Sequence, residues 1–414
     1  MNQERIGGSA AAAWTHPGAA DNVAGVTAPR KYTPLEMIER LVAFDTTSRN
    51  SNLELIDFVA DYLAGHGIEA EIIADETAAK ANLLATIGPA QTGGVVLSGH
   101  TDVVPVDGQD WDSDPFTVVN RSGRLYGRGT ADMKSFSAVA LALVPEFLAR
   151  RPKLPIHLAL SYDEEVGCLG VRGMVPRLAR PELKPLAVIV GEPTNMQLVT
   201  AHKGIRTQTT LVRGLEAHSS ATHTGVNAVI FAAELIAFLG RLANEAKARA
   251  PADCPFEPPY TTIHVGTVQG GTAINIIPKE CLFRWEFRLI PGDDVEHYFG
   301  RFTEFAENEV LPRMHEVSAD ASIETTVSAA VPPCVPEPGS AAETLVMALA
   351  GTNSTGVVSY GTEAGLFQES GMATVVCGPG DIAQAHKPNE FISLEQVEAC
   401  VAFMRRLADY AAAE

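Results

Sequence analysis

Five side chains of the metal-ligating type stand in five separate short segments: His100 in SGHTDVVP, Asp132 in GRGTADMK, Glu165 in SYDEEVG, Glu192 in IVGEPT and His386 in AQAHKPNE. Imidazole and carboxylate without thiolate suit zinc or a similar divalent ion in a catalytic setting, rather than a closed structural zinc site. Five protein ligands are more than one catalytic zinc usually takes. Two metals sharing Asp132 as a bridge, roughly 3.5–4 Å apart, would account for the number. Such a pair lowers the pKa of a held water, and a further group must take its proton and hand it to a leaving nitrogen. Glu164, adjacent to Glu165, is the natural candidate for that general base. Asp102, two residues after His100, is placed to accept the imidazole N–H and fix the tautomer.

These segments can converge only if the chain folds to bring them together. VVLSGH, LPIHLALSYDEE and LAVIVGEP each read as an apolar strand followed by polar residues. In open α/β sheets ligands bind beyond the carboxyl ends of the strands. Order begins at a capping box, with Thr33 as N-cap, Pro34 at the first helical position and Glu36 three residues on. Helices are expected over about 51–66 and 134–149, alternating with strands at NLLATIG, VVLSGH, PIHLALSY and LAVIVGE. That alternation predicts an α/β mixed sheet covered by helices on both faces. After Lys203 the pattern changes to strand RTQTTLVRG, a helix over about 226–248, strands TTIHVGTVQGG and CLFRWEFRLI, a helix near 295–310, and strand SIETTVS. This β-α-β-β-α-β order is the split βαβ (ferredoxin-like) arrangement. A proline-rich hinge, VPPCVPEPG, then returns the chain to α/β alternation, closed by a helix capped by Ser393. The expected organisation is a disordered tail over 1–32, one domain over 33–203 and 330–414, and an inserted α+β domain over 204–329.

With SGHTDVVP, GRGTADMKS and DEEVG in hand, the chain resembles the dinuclear zinc aminoacylase/carboxypeptidase family from about residue 33 to the C-terminus. The stretch YGTEAGLFQ followed by GPGDIAQAHKPNE is similar to the acetylornithine deacetylase branch, and unlike the desuccinylase relatives, which carry a Gly/Ser-rich run there. The resemblance implies two zinc ions, with cobalt as an alternative, Asp132 bridging them and Glu164 as base. It implies that the inserted domain is a lid and dimerisation module, and that His218 in GLEAHSS reaches the partner subunit's site as an oxyanion donor. Arg288, on the polar face of CLFRWEFRL, and Asn275 in GGTAINIIP match substrate-binding positions. Glu363 in GTEAG is a candidate for the amine end of a basic amino-acid substrate. The implied reaction is removal of acetate from N2-acetyl-L-ornithine, a step of arginine biosynthesis. Other N-acyl amino acid hydrolases on the same scaffold, such as the succinyl-diaminopimelate desuccinylases, aminoacylases and dipeptidases, are the alternatives. A non-catalytic metal-binding protein is another class, although it would need neither Glu164 nor His218.

Composition agrees with a soluble enzyme. The 414 residues exceed what one core usually serves, so two domains are expected. The 31 basic against 50 acidic residues, net −19, speak against nucleic-acid or anionic-membrane partners. Six cysteines without a CxxC pattern read as reduced thiols of a cytoplasmic protein. The Ala/Gly-rich start has no signal-peptide pattern, and no apolar stretch approaches a membrane span. The expected partner molecules are a small N-acyl amino acid and a second copy of the chain.

Overall fold

The computed structural model describes residues 29–413. Residues 1–28, which hold most of the tail expected to be disordered, lie outside the described residues. An eight-stranded mixed sheet runs in the order Ala70–Ala74, Ala81–Ile87, Ile156–Ser161, Val95–His100, Ala187–Pro193, Thr374–Gly378, Val199–His202, Gly356–Val358. Its middle is parallel, from Ile156–Ser161 through Val95–His100 and Ala187–Pro193 to Thr374–Gly378. All residues of these four strands are buried, as near-continuous apolar runs covered on two faces require.

Alternation assigns their side chains to two cores. Val95, Leu97, Ile189 and Val375 join the helices Pro34–Val42, Leu53–Gly65, Lys134–Ala142, Ala341–Ala350 and Leu394–Ala413 on one face. Val96, Val188, Val190 and Val376 meet Val171–Leu178 and Ala364–Glu369 on the other. The Thr33 capping box is formed, and the Ser393 hydroxyl accepts the Gln396 N–H at 3.2 Å. The single helix expected over 134–149 is two, Lys134–Ala142 and Val144–Arg150. Pro145 lacks the N–H that a continuous helix would need, and instead sits in the first turn of the second.

Residues 204–331 supply a second sheet of four antiparallel strands in the order Thr262–Gly270, Glu280–Leu289, Gly204–Arg213, Ser322–Val331. Helices Ala228–Ala248 and Val295–Phe305 pack on one face, around Phe283, Trp285 and Phe287. The alternate residues Arg284, Glu286 and Arg288 therefore project from the opposite face. The expected 295–310 helix stays α-helical only to Phe305, passes through a π turn over Ala306–Val310 and resumes as Leu311–His315. Pro312, unable to donate, lies just past that turn. Chain crossings between the two sheets are tied together, since His202 and Cys334 exchange two backbone hydrogen bonds of 3.2 Å.

Candidate metal centre

The carboxyl ends of the parallel strands carry the site. His100 closes Val95–His100, Glu192 lies near the end of Ala187–Pro193, and Glu164 and Glu165 follow Ile156–Ser161 in a turn. Asp132 comes from the turn ahead of Lys134–Ala142, and His386 from the loop beyond Thr374–Gly378.

The Nδ1 of His100 lies 2.9 Å from the Asp102 carbonyl oxygen, so Nδ1–H donates there and Nε2 faces the cluster, presenting a lone pair once metal displaces its proton. That Nε2 is 3.1 Å from Asp132 Oδ1 and 3.7 Å from Glu192 Oε1. On the other side, His386 Nε2 is 3.3 Å from Asp132 Oδ2 and 3.1 Å from Glu165 Oε2. Asp132 thus turns one carboxylate oxygen to each imidazole. Ligand atoms of His100, Asp132 and Glu165 lie within 4.8 Å of one another, as do those of His100, Glu164 and Glu192.

The electrostatics are those of a site built for cations. Burial pushes Glu164 and Glu192 well above the usual carboxylate range and raises Glu165 to about 7, with the Asp132 charge adding to the last two. Burial also opposes ionisation of Asp132, but hydrogen bonds from His100 and His386 outweigh it and hold its pKa low. His386 rises to about 10 through its bonds to Asp132 and Glu165. Among the described residues no Lys or Arg pairs with Asp132, Glu164, Glu165 or Glu192. The balancing charge must come from protons on the imidazoles or from metal, and metal binding displaces those protons. The donor set fits one or two divalent ions.

Two carboxylates outside the cluster hold it in place. Asp102 accepts the N–H groups of Glu164 at 3.0 Å and Glu165 at 3.2 Å, and the Ser48 hydroxyl at 2.7 Å. Its carboxylate is 3.5 Å from His100 Nδ1, farther than its own carbonyl, so its larger role is to fix the Glu164–Glu165 turn. Glu390 Oε1 accepts N–H groups from Gly129, Ala131 and Asp132 at 2.8–3.1 Å, while Oε2 pairs with the buried Arg128 at 2.7 Å. Sequence reasoning missed Glu390, Arg128 and Ser48. The NE that ends KPNE was the one visible trace.

A cavity of about 660 Å³ opens on the cluster. Its far wall comes from the four-stranded sheet and includes Thr207, Glu286, Arg288 and Ser328, with Tyr360 at the side. Arg288 lines this wall, and its Nε donates at 3.0 Å to Glu286, the neighbouring carboxylate that the alternative reading of Arg288 as an ion-pair partner names. Glu363 is a correction. It is 1% exposed, accepts hydrogen bonds from Ser98 at 3.1 Å and from Ser161, and does not line the cavity. It braces the strand ends instead. His218 and Asn275 are also outside this wall, both exposed and side by side, with Ser219 N–H donating to the Asn275 carbonyl at 3.0 Å. Within one chain, Asn275 does not meet the cavity, because its loop projects outward between Thr262–Gly270 and Glu280–Leu289.

A layered α/β scaffold presenting this His and carboxylate cluster to a cavity defines a metal-dependent amide hydrolase once its relatives are considered. Residues 96–410 match the family described as Peptidase family M20/M25/M40, and the chain belongs to it. It is 35% identical over 382 residues to an acetylornithine deacetylase of Myxococcus xanthus, covering 89% of this chain and 95% of that one. It is 34% identical to an acetylornithine deacetylase of Proteus mirabilis (strain HI4320), covering 91% and 95%. In fold it is similar to the M20 family metallo-carboxypeptidase Sso-CP2 from Sulfolobus solfataricus, with a TM-score of 0.73, 18% identity, and coverage of 92% and 99%. A dinuclear metal binding peptidase from the M20 family of Bacillus subtilis matches with a TM-score of 0.61 at 15% identity, covering 91% and 96%.

Proposed function

We propose that this protein deacetylates N2-acetyl-L-ornithine to L-ornithine and acetate, and so supplies arginine biosynthesis, as a homodimer with two zinc ions per site. The observation that carries the chemistry is Asp132, one oxygen toward His100 and the other toward His386. The substrate rests on the relatives of 34–35% identity, both acetylornithine deacetylases. One ion would be held by His100, Asp132 and Glu192, the other by His386, Asp132 and Glu165. When bound, the pair supplies Lewis acidity and an acidified water.

The chain's own residues do the rest. Glu164 takes the proton of the attacking water on a carboxylate oxygen and returns it to the departing α-nitrogen. The Cys168 thiol lies 3.3 Å from Glu164 Oε1 and restrains that carboxylate. Arg288 takes the substrate's α-carboxylate, and Asp102 keeps base and ligand in one fixed turn. His218, with Asn275 beside it, completes the partner subunit's site and donates to the developing oxyanion.

Ninhydrin-detected amine release from N2-acetylornithine, N-succinyl-diaminopimelate, other N-acetyl amino acids and dipeptides tests this reading. Zinc-loaded protein should prefer acetylornithine, and Glu164→Gln should lose on the order of 10²–10⁴-fold in turnover while keeping two ions. Loss of an ion in Glu164→Gln would make Glu164 a ligand, and preference for another substrate would replace acetylornithine.

A further inference from the structure

Of the charged side chains that line the cavity, Asp132, Glu165, Glu192 and His386 are metal-type donors and Glu164 is the candidate base. Two remain, Glu286 and Arg288, both on the polar face of Glu280–Leu289. They share a single hydrogen bond, Arg288 Nε to Glu286 Oε1 at 3.0 Å, with side chains 34% and 25% exposed. Among the described residues no protein donor meets Glu286 Oε2, and no protein acceptor meets the terminal nitrogens of Arg288. Both groups therefore keep unused hydrogen-bonding capacity beside the cavity.

A site needing only to hold an α-carboxylate would be weakened by a glutamate on its one guanidinium, since the two anions compete for the same cation. The arrangement becomes favourable when the ligand brings its own cation, because the carboxylate can then take the terminal nitrogens of Arg288 and the cation can take Oε2 of Glu286. We propose that Glu286 is the specificity-determining residue for a positively charged substrate side chain. This rests on the reading of the cavity as an N-acyl amino acid site. It also moves the amine-recognition role from Glu363, which is buried, to a carboxylate on the opposite wall.

The test compares kcat/KM for N2-acetyl-L-ornithine and N-acetyl-L-norvaline, which has the same carbon chain without the amine, in wild type and Glu286→Gln. Wild type should favour the ornithine substrate by about 100-fold or more, and the variant should lower that ratio by about 30-fold. Glu286→Lys is a second variant, expected to turn selectivity toward N-acetyl-L-glutamate. Equal losses on both substrates would reduce Glu286 to a positioning residue for Arg288 and overturn the inference. So would a wild type without preference for cationic side chains. If wild type prefers N2-acetyl-L-lysine and Glu286→Gln abolishes that preference, the ornithine reading fails while the role of Glu286 stands. Calorimetric titration with L-ornithine and L-norvaline reads the same selectivity without turnover. Equal binding of the two by wild type would overturn the inference even in an inactive preparation.

Discussion

Asp132 can serve two imidazoles because its backbone is held independently of its side chain. Three consecutive-turn N–H groups, from Gly129, Ala131 and Asp132, converge on Glu390 Oε1, and Arg128 neutralises that carboxylate out of contact with water. Removing the charge in Glu390→Gln leaves a buried guanidinium uncompensated and loosens the turn. Zinc affinity, measured by competition with a chromophoric chelator, should fall about 10–100-fold, as it does when outer-sphere partners of ligands are lost. Unchanged affinity would mean that the turn is set by something else. His100, Glu165 and Glu192 were legible as candidate ligands because each stands at or just after an apolar run that announces a strand, whereas Asp132 and His386 showed only through their short motifs. Glu390 and Arg128 were not legible, since partners 262 residues apart leave no local pattern. Glu363 misled for a related reason: GTEAG reads as a loop, and nothing in it reveals that Ser98 and Ser161 close over the carboxylate. Glu286 read only as an ion-pair partner for Arg288, because an acidic residue on a strand's polar face looks like salt-bridging or solvation.

At the scale of elements, strand ends carry the chemistry only if the layer behind them is tight. Gly191 precedes Glu192, and a methyl there would overlap the Phe136 ring of the helix Lys134–Ala142. That helix follows directly on the Asp132 turn, so the glycine lets two elements bearing candidate ligands approach closely. Gly191→Ala should cost about 1–3 kcal/mol through overpacking, read from the urea midpoint of the zinc-free protein. A midpoint that does not move would show that the ring can shift at no cost. Element types were well signalled, because runs of buried strand and amphipathic helix differ in period. Their interruptions were signalled less clearly: Pro145 is in plain sight, but whether a helix bends or restarts depends on what packs beneath it.

For the whole molecule, the open question posed by the geometry is where His218 acts. Its ring is exposed, with Nδ1 2.8 Å from the Ser220 hydroxyl, and it takes no part in the cavity of its own chain. If it served that cavity by lid closure alone, each chain would be self-sufficient. If it serves a partner, as proposed, the site is assembled from two chains, and two different inactive variants can rescue each other. A heterodimer of His218→Ala and Glu164→Gln holds one site lacking both groups and one site that is intact, because base and histidine come from different chains. Random mixing at equal amounts makes about half the dimers mixed, each with one working site of two, so activity should recover to about a quarter of wild type. The variants alone should stay near background, and metal content should be unaffected by His218→Ala. Mixed subunits that remain inactive after refolding together, while light scattering shows dimers, would place His218 in the service of its own chain and require the lid to swing it across the cavity.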